Sequence, residues 1–140
     1  MNRSQILLVE DNPIDKMMFE RALKHVSKDV EVLHFESVQE ACRYVENVGV
    51  ATPRLAVLDL RLGDETGFDY LRKRNQSSRL HDVPAIILST SDSNKDVKEA
   101  FSLGAAGYFV KPLEFKELTE LIASITSYWD WSVLPGDMDS

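Results

Sequence analysis

The sequence predicts an α/β fold, a doubly wound five-stranded parallel sheet with helices on both faces. Three observations predict it. Short β-branched or aliphatic runs alternate five times with helical patterns, the signature of helices crossing over a parallel sheet. Runs such as Ile6-Leu7-Leu8-Val9 and Ala85-Ile86-Ile87-Leu88 are apolar throughout, which suits strands buried on both faces. Several of these runs stop abruptly at polar residues, at the strand ends where open α/β sheets carry their sites.

The first run, Ile6–Val9, ends in Glu10-Asp11. Asn12 can cap the helix that follows, Pro13 suits its first position, and Asp15 falls in its first turn. Met18, Ala22 and Val26 continue at helical spacing, with Leu23 on the flank. Val30–Phe35 reads as strand two, and Ser37 caps a helix carrying Val38, Ala41, Cys42 and Val45 up to Gly49. Pro53 precedes strand three, Leu55–Leu58, which ends in Asp59. Gly63 and Gly67 break the loop before a short helix with Phe68 and Leu71, closed by the basic Arg72-Lys73-Arg74 that suits a helix C-terminus. Residues 75–82 read as a polar linker. Pro84 opens strand four, which ends in Ser89-Thr90-Ser91, and Asp92 or Ser93 caps helix four up to Gly104. Gly107–Val110 is strand five, ending in Lys111-Pro112, and the last helix starts near Glu114 and carries Phe115, Leu118, Leu121, Ile122 and Ile125.

Length and composition narrow the function classes. A chain of 140 residues fits one domain, expected over residues 1–127, with a tail over 128–140. With 16 basic and 23 acidic residues the net charge is −7, which disfavours a nucleic-acid surface. Cys42 is the only cysteine, excluding an internal disulfide and any Cys-based zinc site, and its apolar neighbours read as core. His25, His34 and His81 have no partner spacing and read as surface or boundary residues. No signal-peptide core opens the chain, and no apolar run approaches the ~18 residues of a membrane span. The expectation is a soluble, cytoplasmic domain in a reducing compartment.

For strand order 2-1-3-4-5 the switch point lies between strands one and three, which end in Glu10-Asp11 and Asp59. Strands four and five end in Ser89 and Lys111 on one side of that crevice. With strands ~4.8 Å apart, Lys111 starts about 10 Å from Asp59, a gap its flexible stem can largely close. Three carboxylates so close repel one another, since two unit charges 4 Å apart are worth ~4 kcal/mol at an effective dielectric of 20. One lysine offsets part of that, and oxygen ligands without His or Cys favour Mg²⁺, or Mn²⁺, as the complement. A metal beside Asp59 with Ser89 and Lys111 opposite makes a cradle for a phosphoryl group, and carboxylates that accept phosphorus are known chemistry.

These residues carry a resemblance. Leu8-Val9-Glu10-Asp11-Asn12-Pro13, Leu58-Asp59-Leu60 with Gly67 eight residues past Asp59, Leu88-Ser89, and Gly107-Tyr108-Phe109-Val110-Lys111-Pro112 occur in that order at the strand ends. In them the chain resembles, over roughly residues 4–127, the stand-alone receiver domain of two-component response regulators, a flavodoxin/CheY-like three-layer sandwich. The resemblance implies that Asp59 is the phosphoacceptor and that Glu10, Asp11, Asp59 and the backbone carbonyl of Arg61 bind the metal. It implies that Ser89 and Lys111 contact the phosphoryl group, that Ser89 and Tyr108 switch on activation, and that the Lys111–Pro112 bond is cis. It implies phosphoryl transfer from a sensor histidine kinase or phosphotransfer protein. The change would then remodel the face of helix four, strand five and helix five, where a downstream protein or a second subunit binds.

Some positions depart from the commoner pattern. Thr90 stands where relatives carry Ala or Gly, and could narrow access to the aspartyl phosphate or compete with Ser89 as the contacting hydroxyl. Gly63 replaces a common Pro, and Arg61 and Ser91 flank the approach of a hydrolytic water. Other function classes fit less well. A haloacid-dehalogenase-type phosphatase would need an Asp two residues after its nucleophile, where Arg61 stands, and a cap domain. An adaptor with a dead site is disfavoured because Glu10, Asp11, Asp59, Ser89 and Lys111 are all present. With no output domain expected, the message would leave by protein contact. Trp129, Trp131 and Leu134 lie beyond the expected domain, and are read as an interface arm for self-association or a partner, or as aromatics folded back on their own domain. Trp129-x4-Leu134-Pro135 resembles the ending of receivers paired with phytochrome-type kinases.

Overall fold

A computed structural model describes residues 4–137. Its central sheet contains β1 (Ser4–Val9), β2 (Val30–Phe35), β3 (Leu55–Leu58), β6 (Ala85–Ser89) and β7 (Gly107–Val110), in the order β2-β1-β3-β6-β7. Every pairing in that sheet is parallel. These are the five expected strands in the expected order. A small antiparallel pair, β4 (Arg61–Leu62) and β5 (Glu65–Thr66), forms a hairpin in the loop after β3, where the sequence shows only two glycines. Two residues per strand leave no period to read, and Gly63 at φ 65° makes the turn.

The helices are α1 (Pro13–Val26), α2 (Val38–Glu46), α3 (Gly67–Arg74), α4 (Ser78–His81), α5 (Asn94–Ser102) and α6 (Phe115–Trp131). Asn12 caps α1 by accepting from the N–H groups of Ile14 and Asp15, and Ser37 and Ser93 do the same for α2 and α5. The stretch read as a linker contains the single turn α4, whose Leu80 is fully buried. Its one apolar side chain gives no helical pattern, so only packing reveals it. The last helix runs through residue 127 to Trp131, which makes Tyr128, Trp129 and Trp131 helical.

The sheet separates two cores. Leu7, Val9, Ala56, Leu58 and Ile87 face α2, α3, α4 and α5, while Ile6, Leu8, Val57, Ile86 and Leu88 face α1 and α6. Alternating strand residues thus bury both faces, as the uninterrupted apolar runs require. Cys42 belongs to the first core, and burial pushes its thiol up to about 12, an inert packing residue. The implied cis Lys111–Pro112 bond is not found: the described residues contain no cis peptide. The trans form is the ordinary state of an X–Pro bond, favoured by roughly 0.5–1 kcal/mol. No helix among the described residues is long and apolar enough to cross a membrane.

Candidate functional site

Register places the chemistry. Val9 pairs with Leu58, so Glu10 and Asp59 leave the sheet side by side. Leu58 pairs with Ile87 and Ser89 with Val110, so Ser89 and Lys111 emerge one and two levels beyond Asp59. The lysine stem closes the gap. Lys111 Nζ donates to Glu10 Oε1 at 3.0 Å, Asp15 Oδ2 at 3.2 Å and Asp59 Oδ2 at 3.2 Å.

Glu10, Asp15 and Asp59 each bring a carboxylate oxygen within 4.8 Å of the others. In the sequence Asp15 reads only as a first-turn helix acid. Its signal was the cap itself, because Asn12 turns α1 back across the end of β1 and brings the first turn over the crevice. Asp11, by contrast, is exposed and stands outside this cluster, its carboxylate toward Gly63.

Glu10 is the buried member, 4% exposed, and burial pushes its carboxyl up to about 7. The Lys111 ammonium pulls it down, and a hydrogen bond and repulsion from Asp59 push it up again. Its backbone is held as well, with His34 Nε2 2.7 Å from the Glu10 carbonyl oxygen. Burial lowers the Lys111 ammonium, but the charges of Asp59, Glu10 and Asp15 outweigh it and hold the group above its ordinary value. One ammonium therefore faces three carboxylates. Oxygen donors alone, in charge excess and at the mouth of a crevice, fit a hard divalent cation and do not suit zinc.

Arg61 N–H lies 3.4 Å from Asp59 Oδ1, and its side chain is exposed. Gly67 packs so closely under this loop that a Cβ there would lie 2.6 Å from the Asp59 carbonyl oxygen. Ser89 is buried and Thr90 exposed, as neighbours at a strand end should be. Ser89 Oγ accepts the Ser91 N–H at 3.1 Å. Tyr108 is half-buried, and its hydroxyl donates to the Ser91 carbonyl at 2.8 Å.

The aromatic tail divides. Trp129 packs against the α1/α6 core, whereas Trp131 is 86% exposed. Arg54, just before β3, donates to the carbonyls of Trp129 and Ser132 at 3.0 Å each and to Asp137 at 3.1 Å. Asp137 in turn accepts the Leu134 N–H at 2.8 Å, and Leu134 is half-buried. Residues 138–140 of the expected tail lie outside the described residues.

A parallel sheet of this order, with acids leaving two adjacent strands and a lysine after the edge strand reaching them, defines a doubly wound fold of the flavodoxin-like class with its polar site at the switch point. The chain belongs to the response regulator receiver domain family, whose model matches residues 6–123. It is 34% identical over 135 residues to the probable methanogenesis regulatory protein FilR2 of Methanothrix harundinacea, covering 94% of this chain and 87% of that one. It is 29% identical to the response regulator Rcp1 of Synechocystis sp., covering 89% of this chain and 87% of that one. Among solved structures, the phosphorylated cyanobacterial phytochrome response regulator RcpA superposes with a TM-score of 0.86 at 27% identity, over 96% of this chain and all of that one. The Mn²⁺-bound form of Rcp1 superposes with a TM-score of 0.81 at 28% identity, over 95% and 99% of the two chains.

Proposed function

We propose that this receiver is a phosphorylation switch in which Asp59 takes a phosphoryl group from the phosphohistidine of a sensor histidine kinase or phosphotransfer protein. The phosphorus–nitrogen bond to imidazole breaks, a bond from an Asp59 carboxylate oxygen to phosphorus forms, and the imidazole regains a proton from solvent. Mg²⁺, or Mn²⁺, is proposed to sit among Glu10, Asp59, Asp15 and the Arg61 carbonyl, with Asp11 at the rim. When bound it supplies positive charge for the phosphoryl oxygens. Lys111 supplies the rest of that charge from the protein, and Ser89 offers a hydroxyl donor on the same side. The manganese in Rcp1 is consistent with this, though it belongs to that protein.

The observation that carries the proposal is the single ammonium of Lys111 bonded at once to Glu10, Asp15 and Asp59. Charging Asp59 with a phosphoryl group changes what Lys111 and Ser89 must satisfy, and Tyr108 stands one hydrogen bond away from the same loop. We propose that this change is read on the face of α5, β7 and α6, where Phe101, Val110 and Leu113 are exposed and a downstream protein or second subunit can dock.

Intact mass after incubation with acetyl phosphate tests the site. The wild type is expected to gain one phosphoryl adduct with Mg²⁺ and none with EDTA, and Asp59→Asn is expected to gain none. An adduct on Asp59→Asn would move the phosphoacceptor elsewhere.

A further inference from the structure

Ser91 lies in the loop between β6 and α5, and all of its polar groups are committed. Its N–H donates to Ser89 Oγ at 3.1 Å and its carbonyl accepts the Tyr108 hydroxyl at 2.8 Å. Its own hydroxyl donates to Asp96 Oδ2 at 2.6 Å and accepts the Ser93 N–H at 3.3 Å. Asp96 is fixed in turn, since it lies in the first turn of α5 and its N–H meets Ser93 Oγ at 3.5 Å. A carboxylate there is favoured by the helix dipole, and a hydroxyl-to-carboxylate bond of that length is of the strong, charge-assisted kind.

We propose that Asp96 and Ser91 are positioning residues for the phosphoryl switch, presetting Ser89 and Tyr108 before any phosphoryl group arrives. The inference rests on the roles proposed above for those two residues. A serine hydroxyl has one proton and two lone pairs. The Ser91 N–H engages a lone pair of Ser89 Oγ, which leaves the Ser89 proton to be donated elsewhere. The same loop residue holds the Tyr108 ring turned inward through a backbone carbonyl. The carbonyl of Ser91 survives every substitution and its N–H every one but proline, while both are aimed by the side-chain bond to Asp96. That bond is the adjustable part. A chain without it keeps Ser89 and Tyr108 but leaves their common partner to wander.

Two readouts test the pair, one of which needs no phosphorylation. With 3-fluorotyrosine incorporated and Tyr108→Phe used for assignment, the fluorine resonance of Tyr108 in the resting wild type is expected to be single and narrow. Ser91→Ala and Asp96→Ala are expected to shift it toward the solvent-exposed position or broaden it, while Ser91→Thr, which keeps the hydroxyl, restores the wild-type resonance. In the second readout, phosphorylation rate is followed against acetyl phosphate concentration. Asp96→Ala is expected to lower the maximal rate about fivefold, the order of one hydrogen bond, with half-saturation unchanged. A general loosening of the fold would also alter thermal stability and would not be rescued by Ser91→Thr. A Tyr108 resonance identical in wild type, Ser91→Ala and Asp96→Ala overturns the inference. If the wild type itself takes no phosphoryl group, the proposed function fails, while the fluorine resonance still decides the positioning of Tyr108.

Discussion

At the residue scale, the least replaceable side chain near Asp59 is one that is absent. Gly67 has ordinary backbone angles, so conformational freedom does not explain it. Its reason is space, because a Cβ would meet the Asp59 carbonyl oxygen at 2.6 Å and Ile87 Cδ1 at 3.2 Å. The first neighbour is backbone, which cannot turn aside as a side chain would. Gly67→Ala is therefore expected to push the Asp59 loop outward, costing about 1–3 kcal/mol, as overpacking generally does. Urea melts would read the cost, and acetyl phosphate labelling would fall with it. A variant as stable as wild type and labelled as fast would show that the loop can absorb a methyl group. The sequence offers Gly67 only as a loop breaker, since steric closeness between β3 and α3 is a property of the packed fold. That Asp59, Glu10 and Lys111 come together is legible because each follows a strand run, and for Glu10 and Asp59 a charge at a buried strand's end has few uses other than a site. Asp15 and Asp96 are not legible, because an acid in a first helical turn is already explained by the helix dipole.

At the scale of elements, strands and caps were legible and extensions were not. β2, β3 and β7 have the bounds read from the sequence: β3 because a doubly buried strand cannot hide its composition, and the half-buried edge strands β2 and β7 because polar or cap residues follow their β-branched and aromatic stretches. The end of α6 could not be read the same way. Tyr128 and Trp131 are exposed and Trp129 is not, so the aromatic cluster gives no stripe that separates helix from arm. What holds the end of that helix is distant in sequence: Arg54 satisfies the Trp129 and Ser132 carbonyls, acting as a cation at a helix C-terminus. Asp137, whose carboxyl is held below its usual range by the Leu134 N–H and by Arg54, closes the turn from the other side. Arg54→Ala should free residues 132–137 and fray the last turn of α6, at a cost of roughly 1–2 kcal/mol for bonds made by a charged donor. Hydrogen exchange would then quicken at the end of α6 and leave β1 and β3 unchanged. Exchange equal to wild type in that segment would mean that Trp129 packing alone retains it.

At the scale of the whole molecule, an acidic protein of net charge −7 gathers three of its carboxylates around one ammonium. That concentration links metal binding, pH and stability. In the metal-free protein the Glu10 carboxyl is raised from 4.5 to about 7, so between those values the folded state holds a proton that the unfolded state has lost. The stability Glu10 contributes is thus fully present below its unfolded value and is lost as pH rises through the folded one. A divalent cation reverses the preference, because it requires the ionised carboxylate and must displace that proton. Affinity for Mg²⁺ should then rise by up to about tenfold per pH unit below about pH 7 and level off above it. Lys111, held above its ordinary value, stays charged throughout and adds no competing step. Thermal midpoints with and without saturating Mg²⁺, taken from about pH 5.5 to 8.5, would show the shift growing and then flattening, since ligand stabilisation follows the ratio of concentration to Kd. Glu10→Gln removes the titrating proton, so what binding it retains should vary far less with pH. A wild-type shift constant across that range would mean that the cation does not engage Glu10 and sits instead with Asp11 at the rim of the crevice.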